Sequence, residues 1–201
     1  MHNPQGHGKQ IPWLFHFQQA GGYVRKANKE IRDRAVIEQL LRTCHVGRLG
    51  TIGRDGYPMV KPVNFAYLAG NIYFHTALEG EKIEDIRRDS RVCFETDLPI
   101  AFVRAVTQPC EAEYLYRSVI ITGRATLVED HEERMRAFQS LMEKYQPQGG
   151  YGQYVMEKLG ITGIVRIKVE RIIGKEDLGK GEHRQRALEA LERGLPLPIV
   201  L

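Results

Sequence analysis

An antiparallel β-barrel of about six strands, with helices inserted at its ends, is the fold this sequence predicts. Three observations lead there. Strand-like runs follow one another in meandering order, without the regular strand–helix alternation of a parallel doubly wound sheet. Asp55-Gly56 and Ala69-Gly70-Asn71 are turn signals that join neighbouring antiparallel runs. The chain of 201 residues, 42% hydrophobic and 27% charged, holds enough apolar residues for one core, or one core with extensions.

The elements follow in order. Residues 1–23 read as an N-terminal extension, since glycine and proline break any period while Trp13, Leu14, Phe15 and Phe17 are bulky. One reading is a leader; the other is an arm whose aromatics dock on the body or on a partner subunit, with Trp13 and Phe15 over a ligand groove. A helix is expected from Asp33 to Thr43, with Ala35, Val36, Leu40 and Leu41 as its apolar stripe. Val46 to Ile52 is a first strand. Tyr57 to Tyr67 is a second, and Pro58 and Pro62 lack the ladder N–H, so it needs an edge, a bulge or a ligand beside it. Ile72 to Thr76 is a third strand, Glu79 to Arg88 a short helix, and Arg91 to Thr96 a fourth strand. Residues 98–113 look irregular. Tyr116 to Val128 is the longest strand, His131 to Tyr145 an amphipathic helix, and Ile164 to Ile173 the last strand, with a short helix at Tyr154 to Leu159 before it. The body is expected to span 24–175, and a helical tail 176–201.

Bulk composition narrows the partners. The net charge of +4 is spread along the chain, and no basic stripe interleaved with aromatics is present, so nucleic acid is not expected. Three cysteines without C-x-x-C spacing indicate neither a disulfide framework nor a zinc site. No apolar run approaches the ~18 residues of a spanning helix, so no membrane is expected. No charged-then-apolar signal pattern opens the sequence. The chain reads as cytoplasmic, with no metal.

Chemistry concentrates in His75-Thr76-Ala77-Leu78-Glu79-Gly80-Glu81-Lys82. A strand ends in a hydroxyl residue, a glycine-bearing loop follows, and a lysine opens a helix. Free N–H groups and the helix dipole favour an anion there, Thr76 can donate its hydroxyl and Lys82 adds a charge. A plain strand–helix junction with a solvated lysine is the alternative. The spacing is neither a P-loop nor a dinucleotide fingerprint. A second constellation, Met59-Val60-Lys61-Pro62-Val63-Asn64, offers free backbone groups to a flat heterocycle, or is an ordinary edge strand. A third, Tyr116-Arg117-Ser118-Val119, places a polar pair at the start of an apolar strand.

As an ordered set these motifs resemble a known family. They are V-G-R-L-x-T (Val46 to Thr51), D-G-Y-P (Asp55 to Pro58), K-P-V-N-F (Lys61 to Phe65) and I-Y-F-H-T-A-x-E-G-x-K (Ile72 to Lys82). I-R-R-x-x-R-V-C-F-E (Ile86 to Glu95) and Y-R-S-V-I-I-x-G-R-A (Tyr116 to Ala125) complete it. From Val24 to Lys175 the chain is similar to the pyridoxamine 5′-phosphate oxidase-like split-barrel flavoproteins, most of all to their nitroimidazole-reductase (Nim-type) branch.

The resemblance implies a mainly β protein with peripheral helices, built as a six-stranded antiparallel split barrel. It implies a homodimer with FMN at the subunit interface. Val60, Lys61, Pro62, Val63 and Asn64 would run along the isoalloxazine, His75 and Thr76 would meet the ribityl-phosphate, and Lys82 would pair with the phosphate. Ser118 and Arg117 would approach from the other subunit. Glu81 stands where the namesake oxidases carry arginine, and their C-terminal tryptophan–arginine segment is not evident, which argues against pyridoxamine-phosphate oxidation itself. The expected function is an FMN-dependent oxidoreductase acting on nitro compounds or quinones, with a small-molecule electron donor and acceptor. His75 is the candidate proton donor, or else a packing or phosphate residue. The alternatives are a non-enzymatic FMN module and a split barrel that binds haem or a deazaflavin.

Overall fold

In the computed structural model, which describes residues 24–201, the second predicted strand is two strands. The order begins with β1 (Glu30–Ile31), α1 (Arg34–Thr43), β2 (Gly47–Ile52), β3 (Pro58–Val63), β4 (Ala66–Leu68) and β5 (Asn71–Ala77). It continues with α2 (Glu81–Arg88), β6 (Arg91–Val103), β7 (Glu113–Leu127), α3 (His131–Tyr145) and α4 (Met156–Ile161). It ends with β8 (Thr162–Asp177), α5 (Gly181–Glu192) and β9 (Ile199–Val200). The arm readings made for Trp13 and Phe15 lie outside the described residues.

One sheet holds these strands, in the order β3-β2-β6-β7-β8-β5-β4, with β1 added on β8 and β9 on β6. Every pairing is antiparallel except β9 with β6. The break between β3 and β4 is what splits the barrel. β3 pairs with β2 at one end of the sheet, β4 with β5 at the other, and Asn64-Phe65 carries the chain across. At the crossing, the Phe65 N–H leaves the ladder and donates to the Tyr145 hydroxyl at 2.9 Å.

The helices are placed by caps and apolar stripes. Asp33 caps α1 by accepting from the Ala35 N–H at 2.8 Å, and Asp130 caps α3 by accepting from Glu133 at 2.7 Å. The buried stripe of α1 is Ile37, Leu40 and Leu41; Ala35, assigned to that stripe by its spacing, is exposed. The main core joins these residues to Leu49, Phe65, Phe74, Phe94, Ile121 and Ile167. Phe65 and Phe94 meet edge to face, 4.8 Å between centroids. Gly47 makes that packing possible, because a Cβ there would lie 2.2 Å from the Phe94 ring.

Residues 98–103, expected to be irregular, continue β6. Pro99 does not end the strand: the ladder with β7 slips between Pro99 and Ala101 and then resumes. The tail covers this extension. Ile100, Ala101, Val103, Leu115 and Leu178 form a separate apolar cluster with Ala187 of α5. The chain end is tied down by Arg104 N–H to Leu201 O and Leu201 N–H to Phe102 O, both 2.9 Å.

Candidate functional site

The β5–α2 junction carries the site. Gly80, at φ +108°, turns the chain into α2, and its carbonyl accepts from Ile83 and Glu84. The N–H groups of Glu81 and Lys82 therefore fall in the first turn, where a helix supplies no acceptor. Gly80 provides no side-chain cap, so nothing on this residue competes for those donors.

His75 and Lys82 lie beside this turn, both only partly shielded. Burial first, and the charge of Lys82 second, hold the His75 imidazole below its ordinary pKa. Burial first, and the charge of Lys61 second, lower that of Lys82. Among the described residues neither has a carboxylate within ion-pair distance; Lys82 Nζ instead lies 5.5 Å from the Phe74 ring centroid. Two partly desolvated nitrogen bases without counter-ions, next to free helix N–H groups, make a place for an anion. Thr76 is buried and His75 is not. Strand alternation puts Thr76 on the face of Ile72 and Phe74 and His75 on the face of Tyr73, so the two side chains do not converge from the strand itself.

Lys61 reaches the junction from β3. Its Nζ lies 2.8 Å from Glu81 Oε2 and 3.8 Å from Asp85 Oδ2. The Glu81 carboxylate is thus committed to Lys61. Asp85 is only 1% exposed. Its burial alone would raise its pKa, but hydrogen bonds from Arg88 and Thr51, with the charge of Lys61, hold the carboxyl below its ordinary value. This Thr51–Asp85–Arg88 group was not anticipated. Its one sequence signal is an aspartate set between Ile83 and Ile86 in the apolar stripe of α2.

β3 is an edge, as its prolines require. Along an antiparallel strand, alternate residues direct N–H and C=O to the same side. Pro58 and Pro62 have no N–H to give β2, so they, with Val60 midway, face the open edge. That edge offers one amide donor, that of Val60, between two prolines. Val60 is 64% exposed. Pro62 and Asn64 are exposed and Val63 is buried in the core.

Arg117 and Ser118 stand elsewhere. They pair with Glu176 and Lys175 near the end of β8, whereas His75 pairs with Ile164 near its start. The twelve-residue interval from 164 to 176 corresponds to on the order of 40 Å along a strand. Within one chain, these two residues do not meet His75 and Lys82. Arg117 Nε donates to Glu176 at 3.0 Å, and Ser118 is buried. Among the described residues no cluster of histidine, cysteine and carboxylate side chains suits a metal. No described helix is long and apolar enough to cross a membrane.

Known proteins share this fold. The family model described as pyridoxamine 5′-phosphate oxidase matches residues 33–176. A structure of a candidate 5-nitroimidazole antibiotic resistance protein from Bacteroides thetaiotaomicron is 26% identical. The match covers 73% of this chain and 86% of that one, with a TM-score of 0.64. A conserved hypothetical protein from Mycobacterium tuberculosis is also 26% identical, over 85% and 92% of the two chains, with a TM-score of 0.57. An FAD and haem binding protein from Mycobacterium smegmatis, 16% identical over 81% and 80%, has a TM-score of 0.68, a likeness of fold alone. None of the curated proteins matches. The mainly β antiparallel split barrel is as expected, and since the family match takes in well over half of the sequence, the chain belongs to the pyridoxamine 5′-phosphate oxidase family.

Proposed function

We propose that this protein binds FMN and passes electrons from a small-molecule donor to a nitro compound or quinone, as a cytoplasmic homodimer. The observation that carries the reading is that His75, exposed, and Lys82, half-buried, have no carboxylate partner among the described residues and stand by the free first turn of α2. It suits a phosphate at the end of a ligand whose flat ring system lies along the β3 edge.

In this reading Lys82 and the first-turn N–H groups hold the phosphate, with Thr76 at the strand end. The Val60 amide and carbonyl bond the ring edge, and the Lys61–Asn64 segment fixes its height along β3. FMN, when bound, supplies the redox chemistry; the protein orients it and sets its surroundings. Arg117 and Ser118 lie far along β8 from His75, at the phosphate end of that ligand. The family resemblance brings them to the flavin from a second copy, and that resemblance is the ground for proposing a dimer. His75 is neutral near pH 7 in the site as it stands, so it accepts a proton before it can donate one.

The absorption spectrum of the purified protein tests the cofactor, and mass spectrometry of the released chromophore separates FMN from FAD. A flavin spectrum that Lys82→Ala abolishes or weakens is the expected result. A haem or deazaflavin spectrum, or no uptake of FMN on titration, overturns the proposal. Anaerobic mixing with NADH or NADPH tests the enzyme reading. Rapid bleaching followed by reoxidation with a nitroaromatic or quinone supports it; flavin that stays oxidised supports a non-enzymatic module.

A further inference from the structure

Several charges around the β5–α2 junction are matched before any ligand is considered. Lys61 is held by Glu81 and Asp85. Arg88 is held by Asp85 at 2.7 Å, and Arg87 reaches back to the Leu78 carbonyl at 3.4 Å. Glu79 and Glu84 are exposed carboxylates on the same loop and helix. Among the described residues, Lys82 is the one cation in the first turn of α2, and it is left without a carboxylate. A phosphate monoester above neutral pH carries close to two negative charges, since its second pKa is about 6. It therefore lacks one positive charge at this site.

Two groups can supply that charge. One is Lys61, if Glu81 releases it. The other is His75, if it takes a proton. The side chains around His75 leave it available. The charge of Lys82 acts on it from α2, Ile164 stands opposite on β8, and the next charged pair on that side, Arg166 and Glu133, is closed on itself and on the Tyr73 hydroxyl.

We propose that Glu81 is the specificity-determining residue of the phosphate subsite: by claiming Lys61 it leaves a bound phosphate dianion one full cation, so that binding requires a proton on His75. The inference rests on the phosphate reading above. It makes cofactor loading proton-coupled, and it gives the site a charge preference that an arginine at position 81 would not give. A phosphodiester, with one charge, needs no proton there; a terminal monophosphate does.

Calorimetric titration of the cofactor-stripped protein with FMN, in buffers of different ionisation enthalpy at slightly alkaline pH, counts protons taken up on binding. Riboflavin, which lacks the phosphate, is the control. The wild type is expected to take up a large fraction of one proton with FMN and none with riboflavin. Its FMN affinity falls as pH rises through the neutral range. Glu81→Gln frees Lys61, and is expected to bind FMN about three- to tenfold tighter at low salt, with most of the proton uptake gone. His75→Gln binds FMN more weakly, with no uptake in either background. Equal uptake and affinity in wild type and Glu81→Gln, with FMN still bound far better than riboflavin, overturns the role of Glu81 alone. FMN bound no better than riboflavin overturns the phosphate reading itself.

Discussion

Thr51 Oγ1 donates a hydrogen bond to Asp85 Oδ2 at 2.9 Å, and the two residues are 2% and 1% exposed. The bond joins β2 to α2 beneath the candidate site. Arg88 adds a second tie, giving hydrogen bonds to Asp85 Oδ1 at 2.7 Å and to the Ile52 carbonyl. α2 is thus oriented from below by charge, while its N-terminal turn stays open.

This network predicts acid sensitivity. The folded-state pKa of Asp85 is held below its ordinary value, so its stabilisation is present above the unfolded pKa and is lost as pH falls through the folded one. Urea midpoints measured from neutral pH down to the carboxylate range are expected to decline in the wild type. Thr51→Val removes one charge-assisted bond and costs about 1–3 kcal/mol near neutral pH. Asp85→Asn costs more, because the partly covered Arg88 loses its counter-ion and Lys61 the second of its two carboxylates, and it flattens the acid limb. A wild-type acid limb that Asp85→Asn leaves unchanged counts against this account.

Lys144 predicts a slope of the same sign, in the alkaline range. Its Nζ donates to the Leu41 carbonyl at 3.0 Å and sits 3.5 Å from the Phe65 ring centroid. Burial lowers its pKa from 10.5 to about 8. The unfolded chain therefore binds the proton more tightly, and stability rises as pH increases between these two values. Lys144→Met keeps the apolar stem, removes the charge and is expected to abolish that rise. The check is a series of denaturation midpoints from neutral to alkaline pH; a flat wild-type profile refutes it.

Much of the fold could be read from local signals. The amphipathic spacing placed α3 correctly at both ends, and Asp55-Gly56 placed the hairpin, with Gly56 at φ +88°. What could not be read was set by partners distant in sequence. Nothing near Asn64 shows that β3 and β4 serve opposite ends of the sheet, because the hydroxyl that accepts the Phe65 amide comes from Tyr145. The candidate site divides in the same way. His75 and Lys82 are close along the chain and were legible together. The ion pair of Lys61 with Glu81 joins β3 to α2 and is visible only once they are folded.

Tyr145→Phe tests the β3–β4 crossing. Removing the hydroxyl leaves the Phe65 N–H without its acceptor in a residue that is 0% exposed, at a cost of about 1–3 kcal/mol. The hydroxyl also bonds the His45 carbonyl, so the loop after α1 loosens with it. Native-state hydrogen exchange is expected to show faster exchange at Phe65 than at Leu49, which lies within the β2–β3 ladder. Equal protection of Phe65 in the two proteins contradicts the role given to Tyr145.

The tail rests on its own apolar cluster, and it is expected to open separately. Ala187 is fully buried against the β6 extension and Leu115. Ala187→Asp forces a carboxylate into that contact, where no cation is placed to meet it among the described residues of the cluster. Leu98 is the residue that touches both this cluster and the main core, so few contacts pass the disturbance on. Local opening of α5 and β9 is then cheaper than unfolding the barrel. Hydrogen exchange is expected to rise across 178–201 and 100–103, while β2, β5 and the first half of β8 keep their protection. FMN uptake is expected to persist, since His75, Lys82 and Val60 lie outside the tail. Loss of protection throughout the sheet contradicts this, and makes α5 an integral part of the barrel rather than a cover on one end of it.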